Sequence, residues 1–194
     1  MIDSYEKYQE FLKTLRGTKP TILLQACCGP CSSAVIEQLE PFFDITILYY
    51  NPNTYPESEY EKRYKEFAKL HGFKMIKCDY DHNEFLNACS DLENEPEGGK
   101  RCYKCYELRM RKTAILAKEM SFDFFSTTLS ISPHKNAKWI NEIGLKLEEE
   151  LDVKFLYSDF KKKDGYKRSI AISKELGLYR QDYCGCEFSL KKRV

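Results

Sequence analysis

The sequence of 194 residues contains no apolar run close to the roughly 20 residues that cross a bilayer, so we expect no membrane span. It carries almost no net charge: 31 Lys and Arg against 30 Asp and Glu leave +1, so any basic face must be a local patch. Internal repeats, low-complexity tracts and the apolar core of a signal peptide are also missing. We therefore expect a cytoplasmic protein with a single domain over residues 1–194.

Cysteine, in contrast, is abundant, with nine residues. Seven of them fall into three groups, which are Cys27/Cys28/Cys31, Cys102/Cys105 and Cys184/Cys186. In a reducing cytosol, clustered cysteines indicate metal or redox chemistry rather than structural disulfides. The two isolated cysteines, Cys78 and Cys89, are expected to be small buried hydrophobic residues.

Five short apolar segments alternate with helical patterns along the chain. The predicted strands are 21–26, 45–50, 73–78, 122–126 and 153–157. This alternation predicts an α/β domain with a mainly parallel five-stranded sheet and helices on both faces. A helix within residues 1–18 precedes the sheet, and the aperiodic tail 178–194 is expected to fold over its carboxyl edge, where such folds place their ligands.

The first cysteine group lies in the turn that follows the first strand, and the second begins a helix. Cys102 and Cys105 are three residues apart, so their side chains share one helix face. A helix N-terminus favours the thiolate that a metal requires. Two thiolate pairs that meet form a four-cysteine site, and the spacing fits Zn²⁺ and a [4Fe–4S] cluster equally well.

The third group is the segment Cys184-Gly185-Cys186 near the C-terminus. The intervening glycine allows the two Cα atoms to approach to the roughly 4.4–6.8 Å of a disulfide. So small a ring constrains the unfolded chain very little. We therefore interpret the pair as a reversible electron store or as metal ligands.

Five motifs in order resemble the QueH family of epoxyqueuosine reductases over residues 20–190. They are Leu-Gln-Ala-Cys-Cys-Gly-Pro-Cys-Ser (24–32), Tyr-Tyr-Asn-Pro-Asn (49–53), Gly-Gly-Lys-Arg-Cys-Tyr-Lys-Cys-Tyr (98–106), Thr-Thr-Leu-Ser-Ile-Ser-Pro (127–133) and Asp-Tyr-Cys-Gly-Cys (182–186). The resemblance implies an iron–sulfur oxidoreductase that reduces the epoxide of epoxyqueuosine, at the wobble position of tRNA, to the alkene of queuosine. It also implies the last step of queuosine biosynthesis, with tRNA as substrate and an unidentified electron donor.

Carried over by position, the resemblance assigns roles to the clustered cysteines. Cys27, Cys28, Cys102 and Cys105 would ligate the [4Fe–4S] cluster. Cys184 and Cys186 would form the redox-active pair, either as a disulfide or bound to a second metal, and Cys31 would be available to a second iron.

Substrate contacts are predicted from residues that follow strands. The candidates for the proton donor or for substrate binding are Asp79, Asp81, His134 and Asp159. The candidates for tRNA contact lie in the basic segment after the fifth strand and are Lys161, Lys162, Lys163 and Tyr166, with Tyr103 as a further aromatic for base stacking.

Two other functions stay open at this point. The first strand, its turn and the Asn-Pro-Asn segment also resemble the Rossmann-like PP-loop and HUP folds, which would suit an iron–sulfur tRNA thiolase. However, Cys-Cys-Gly-Pro-Cys stands where a PP-loop enzyme has its Ser-Gly-Gly phosphate cradle, and Pro30 removes a backbone donor there. The other alternative is a zinc-stabilised RNA-binding module without catalysis.

Overall fold

The computed structural model describes residues 4–70 and 72–190. Its strands are β1 (Thr21–Gln25), β2 (Asp44–Tyr49), β3 (Lys74–Lys77), β4 (Phe124–Thr127) and β5 (Lys154–Phe155). Its helices are α1 (Tyr5–Thr14), α2 (Gly29–Leu39), α3 (Glu57–Glu66), α4 (His82–Ala88), α5 (Lys100–Glu119), α6 (Ala137–Leu151), α7 (Gly165–Glu175) and α8 (Glu187–Leu190), with 3₁₀ turns at Phe67–Lys69 and Thr128–Ile131. None of these helices is long and apolar enough to span a membrane.

The five strands form one parallel sheet in the order β3-β2-β1-β4-β5. Alternate residues of β1 face opposite sides, because side chains alternate along a strand. Ile22 and Leu24 join a core with α1, α2 and residues of α7, whereas Leu23 joins a second core with α5 and α6. The predicted α/β class, with helices on both faces of the sheet, is therefore confirmed.

In the sheet, β2 lies on one side of β1 and β4 lies on the other. The direction in which the chain adds strands therefore reverses between β1 and β4, and open α/β sheets bind ligands beyond the carboxyl ends of the strands at such a reversal. The Cys27–Cys31 turn follows β1, and the segment Thr128–Lys135 follows β4. Both segments meet at this position.

Several predicted element boundaries were wrong by a few residues. Phe122 and Asp123 precede β4 because Asp123 binds the Thr21 amide and hydroxyl instead of pairing in the sheet. The predicted fifth strand, 153–157, keeps ladder pairing only at Lys154 and Phe155. The tail does fold over the carboxyl edge and ends in the short helix α8; residues 1–3 and 191–194 of the predicted terminal segments lie outside the described residues.

Candidate functional site

The turn between β1 and α2 brings three thiols together. The sulfur atoms of Cys27, Cys28 and Cys31 all lie within 4.8 Å of one another. Cys28 is the N-cap of α2, and its Sγ accepts a hydrogen bond from the Cys31 amide at 3.5 Å. The turn therefore presents its sulfurs at a helix N-terminus, which favours negative charge.

Hydrogen bonding differentiates these thiols. The Sγ atoms of Cys27 and Cys28 are 3.7 Å apart. Hydrogen bonds from Cys28 and Cys31 lower the pKa of Cys27 well below its ordinary value, whereas the bond to Cys27 raises the pKa of Cys28 to about 11. Cys27 is thus the favoured thiolate of the three, and it is partly exposed.

A buried polar network holds this turn in place. The Asn51 amide donates to the Ala26 carbonyl at 2.9 Å, and the Gln25 amide donates to Asn51 Oδ1 at 3.2 Å. Thr127 of β4 donates to Gln25 Oε1 at 2.8 Å. Because buried polar groups are costly when unpaired, the network fixes the ends of three strands relative to one another.

The remaining paired cysteines form a second group beside the first turn of α5. Cys102 Sγ accepts from the Gly98 amide at 3.2 Å, and Cys105 packs with Cys186 and Cys89 in one buried cluster. Cys184 lies close enough to Cys102 and Cys105 to raise the pKa of both, after the larger effect of burial. The structure thus brings the tail cysteines beside α5. Among the described residues, however, the group of sulfur atoms within 4.8 Å of one another consists of Cys27, Cys28 and Cys31, without Cys102 or Cys105.

Cys184 and Cys186 are free thiols joined by a side-chain hydrogen bond. This bond, together with Lys135 and Arg109, lowers the pKa of Cys184 to about 5, while the same bond raises that of Cys186. Cys184 is therefore the thiolate of the pair at neutral pH, and Cys186 retains its proton.

The tail is tied to the body of the protein by contacts from several elements. Gln181 Nε2 lies 3.0 Å from Cys28 Sγ, and the Tyr55 amide donates to the Gly185 carbonyl at 2.8 Å. Arg63 donates to the Cys184 carbonyl at 3.2 Å. Gly185 has a φ of +110°, and a Cβ there would lie 2.6 Å from the Arg63 guanidinium, so only glycine fits.

Three cations surround the sulfur atoms. Arg109 is 2% exposed, hydrogen-bonds Cys105, and donates to Asn51 Oδ1 at 2.6 Å. Lys135 Nζ lies 4.0 Å from Cys184 Sγ, and Arg63 is 2% exposed with its Nε on Glu59 Oε1 at 2.8 Å. Within the described residues, Arg63 Nη2 and Arg109 Nε have no hydrogen-bond partner. Such a set of cations suits a site that carries several negative charges.

The sequence analysis missed Arg109 and Lys135 as site residues. Arg109 was visible in principle, because it lies four residues after Cys105 and seven after Cys102 on one face of α5. Lys135 is adjacent to the predicted His134, but only the fold places its side chain against the distant Cys184.

A cavity of about 550 Å³ opens beside both thiol groups. It is lined by side chains from the β1 turn, the segment after β4, the start of α7 and the tail, among them Cys27, Cys31, His134, Lys135, Tyr166, Arg180 and Cys184. Two residues predicted for substrate or tRNA contact, His134 and Tyr166, therefore line the same cavity as the sulfurs.

The other predicted contact residues lie elsewhere. Asp79 is exposed after β3, and Asp81 caps α4 through the Asn83 amide. Asp159 pairs with Lys161 at 2.7 Å. Lys162 and Lys163 lie over the ring of Tyr5, in a second groove between α1 and the start of α7. Cys78 is partly exposed, whereas Cys89 is buried as expected.

The matching family model and the similar sequences name the same family. A family model described as epoxyqueuosine reductase QueH matches residues 22–192. The protein of that name from Streptococcus pyogenes serotype M1 is 42% identical over 184 residues, which cover 90% of this chain and 72% of that protein. The Thermotoga maritima protein of that name is 37% identical over 179 residues, covering 89% of this chain and 92% of its own.

One solved structure aligns over most of the chain at low similarity. It is the U34-tRNA thiolase NcsA from Methanococcus maripaludis with its [4Fe-4S] cluster, which covers 95% of this chain and 67% of its own at 13% identity and a TM-score of 0.48. At that TM-score the alignment carries no weight for the chemistry of the site.

Proposed function

Because this chain belongs to the QueH family of epoxyqueuosine reductases, we propose that it reduces the epoxide of epoxyqueuosine in tRNA to the alkene of queuosine. The reaction removes one oxygen atom as water and consumes two electrons and two protons. The protein is therefore an oxidoreductase whose site must store electrons and deliver protons to a single oxygen.

The residues at the carboxyl edge fit an iron–sulfur cluster. The potential donors there, in the Cys27–Cys31 turn and beside the first turn of α5, are thiols, which are the ligands of such clusters. The buried cations Arg109 and Arg63 each keep an N–H group without a partner among the described residues, as expected beside an anionic group. A [4Fe–4S] cluster bound here would supply electrons one at a time.

We assign the cluster ligands to Cys27, Cys28, Cys102 and Cys105. The Cys27–Cys31 turn contributes a preassembled set of sulfurs, and α5 contributes the second pair from its first turn. Cys31 shares the tight triad with Cys27 and Cys28, and this proximity supports our proposal that it holds a second iron or completes the first site.

We propose that Cys184 and Cys186 supply the two electrons that the reduction consumes. Their oxidation to a disulfide releases the two electrons that removal of the epoxide oxygen as water consumes. Because Cys184 is already a thiolate, the pair releases one proton, from Cys186, and the second proton comes from a separate donor. Cys184 also lines the cavity and lies beside Lys135, whereas Cys186 is buried behind it. An external electron donor then reduces the disulfide and completes the cycle.

The cavity beside the sulfurs is proposed to receive the modified nucleoside. Its volume of about 550 Å³ lies within the usual range of small-molecule sites. Among the four predicted proton donors, only His134 lines it, so we retain His134 as the proposed donor or substrate contact, ahead of Asp79, Asp81 and Asp159. Tyr166 also lines the cavity and is available to the base.

The observation that carries this proposal is the convergence of thiols from residues 27–31 and 184 on one cavity. The test is protein purified without oxygen, assayed for iron, zinc and sulfide, and then incubated with epoxyqueuosine-containing tRNA and a reductant. We expect brown protein that dithionite bleaches, and conversion of the nucleoside to queuosine by mass spectrometry.

Colourless protein that contains stoichiometric zinc and leaves the epoxide unchanged would contradict the proposal and support the zinc-stabilised module. Zinc has no redox chemistry, so it could not support the reduction. Sulfur transfer to tRNA, detected in the same mass spectra, would instead indicate a thiolase.

A further inference from the structure

A groove of about 330 Å³ lies between the start of α5 and the start of α6, outside the sulfur cavity. Its walls are the rings of Tyr103 and Trp139, which meet edge to face with centroids 5.5 Å apart and an angle of 79°. Leu92, Lys100 and Lys104 complete the lining. We call this surface the aromatic groove.

The aromatic groove is adjacent to the candidate centre through both of its helices. Tyr103 directly follows Cys102 on α5. Trp139 lies in the first turn of α6, four residues after Lys135, which precedes the helix and whose Nζ is 4.0 Å from Cys184 Sγ. The Trp139 amide is held by Asn136 Oδ1 at 3.2 Å, so the ring is attached to a fixed first turn of α6.

The composition of the groove favours single-stranded nucleic acid. Tyr103 and Trp139 pack one side against the core under α5 and α6 and remain partly exposed on the other. Lys100 and Lys104 are exposed at the rim, where Lys104 also pairs with Glu107 at 2.8 Å. Aromatic faces beside cations are the combination that stacks unpaired bases and contacts their phosphates.

We propose that the aromatic groove binds an unpaired base of the tRNA loop that flanks the epoxide-bearing nucleoside, stacked on Trp139 and Tyr103. This inference rests on the proposed function, because it takes tRNA as the substrate. It adds a second point of attachment, which holds the loop while the modified nucleoside occupies the sulfur cavity.

The single tryptophan of the chain makes a direct test possible, since its emission reports on the aromatic groove alone. The purified protein is titrated with a dye-labelled RNA hairpin that carries the anticodon-loop sequence without the epoxide. We expect quenching of the Trp139 emission on binding. We also expect the quenching to disappear when one flanking loop nucleotide is replaced by an abasic residue.

Variants separate stacking from packing. Trp139→Ala should weaken hairpin binding about tenfold or more, given the usual contribution of base stacking, and Trp139→Phe should retain most of the affinity. Leu145→Ala is the control, because Leu145 lies on the same helix and packs against the same core without lining the groove. Equal losses in Trp139→Ala and Leu145→Ala would overturn the inference.

The outcomes also distinguish this inference from the proposed function. Hairpin binding is measured separately by the anisotropy of the dye. If the hairpin binds without changing the Trp139 emission, and Trp139→Ala does not weaken binding, the inference about the aromatic groove is wrong while the proposed reductase function stands. Absence of any tRNA binding or epoxide turnover by the wild-type holoprotein would overturn both.

Discussion

Arg109 on α5 donates a 2.6 Å hydrogen bond to Oδ1 of Asn51, which follows β2. The Asn51 amide in turn donates to the carbonyl of Ala26, the residue before Cys27. Two hydrogen bonds thus link the helix that carries Cys102 and Cys105 to the turn that carries the other thiols. All three residues are almost fully buried, so the link is shielded from water.

We expect Arg109 and Asn51 to be energetically coupled. In urea unfolding of the metal-free protein, a double-mutant cycle of Arg109→Met and Asn51→Ala should give a coupling energy of about 1–3 kcal/mol, because both residues belong to one buried network. The matched control is the exposed pair Arg111–Glu150, for which Arg111→Met and Glu150→Ala should couple by less than about 1 kcal/mol. Additive effects at Arg109 and Asn51 would contradict the structural link.

The part of the site that sequence patterns predicted is local in the chain. The β1 strand, the Gly-Pro turn and the start of α2 follow from residues 21–39 alone, and so does the shared face of Cys102 and Cys105. The position of the tail, in contrast, does not follow from any local sequence pattern. Its contacts, such as Gln181 with Cys28 and Gly185 with Tyr55, join residues far apart in sequence and leave no periodic signal. The contacts of the basic segment were equally unpredictable from sequence. Lys161 pairs with Asp159, whereas Lys162 and Lys163 lie over the ring of Tyr5.

Cys184 should react as a thiolate far below the pH at which an ordinary cysteine does. Its pKa of about 5 predicts that alkylation of the reduced protein by iodoacetamide, followed by peptide mass spectrometry, rises with pH through about 5 and is level at neutral pH.

Cys186→Ala should move the alkylation profile of Cys184 to higher pH, since it removes the hydrogen bond from Cys186 that is the largest cause of the low pKa. Lys135→Met should move it in the same direction by less. Lys138→Met is the control, an exposed lysine three residues along the chain from Lys135. A Cys184 profile unchanged in Cys186→Ala would show that the two thiols are not paired.

Gly185→Ala should displace the tail. The new Cβ would meet the buried Arg63 guanidinium, and the positive φ adds about 1–3 kcal/mol of backbone strain. We expect faster hydrogen exchange at the Tyr55 amide, whose acceptor is the Gly185 carbonyl, and loss of turnover by about tenfold or more.

Gly17→Ala is the matched control for Gly185→Ala. Gly17 also has a positive φ, of +89°, but a Cβ there meets nothing within 4 Å. This variant should therefore lose stability through backbone strain alone and keep its turnover. Equal turnover in the two variants would contradict the role of the tail in the reaction.

Lys162 and Lys163 are predicted to contact tRNA phosphates, although they lie in the groove beside Tyr5 rather than in the sulfur cavity. The adjacent start of α7 connects the two places, since Gly165 lines the groove and Tyr166 lines the cavity.

Replacing both Lys162 and Lys163 by Glu should weaken tRNA binding and lower the slope of log Kd against log salt by about one for each lost contact. Lys154→Glu is the control and should leave that slope unchanged. Lys154 begins β5, so it lies at the amino end of the strands, whereas Lys162 and Lys163 follow the carboxyl end of β5. A slope that is the same in wild type and in the double variant would remove Lys162 and Lys163 from the tRNA interface and leave the cavity wall near Tyr166 as the predicted contact.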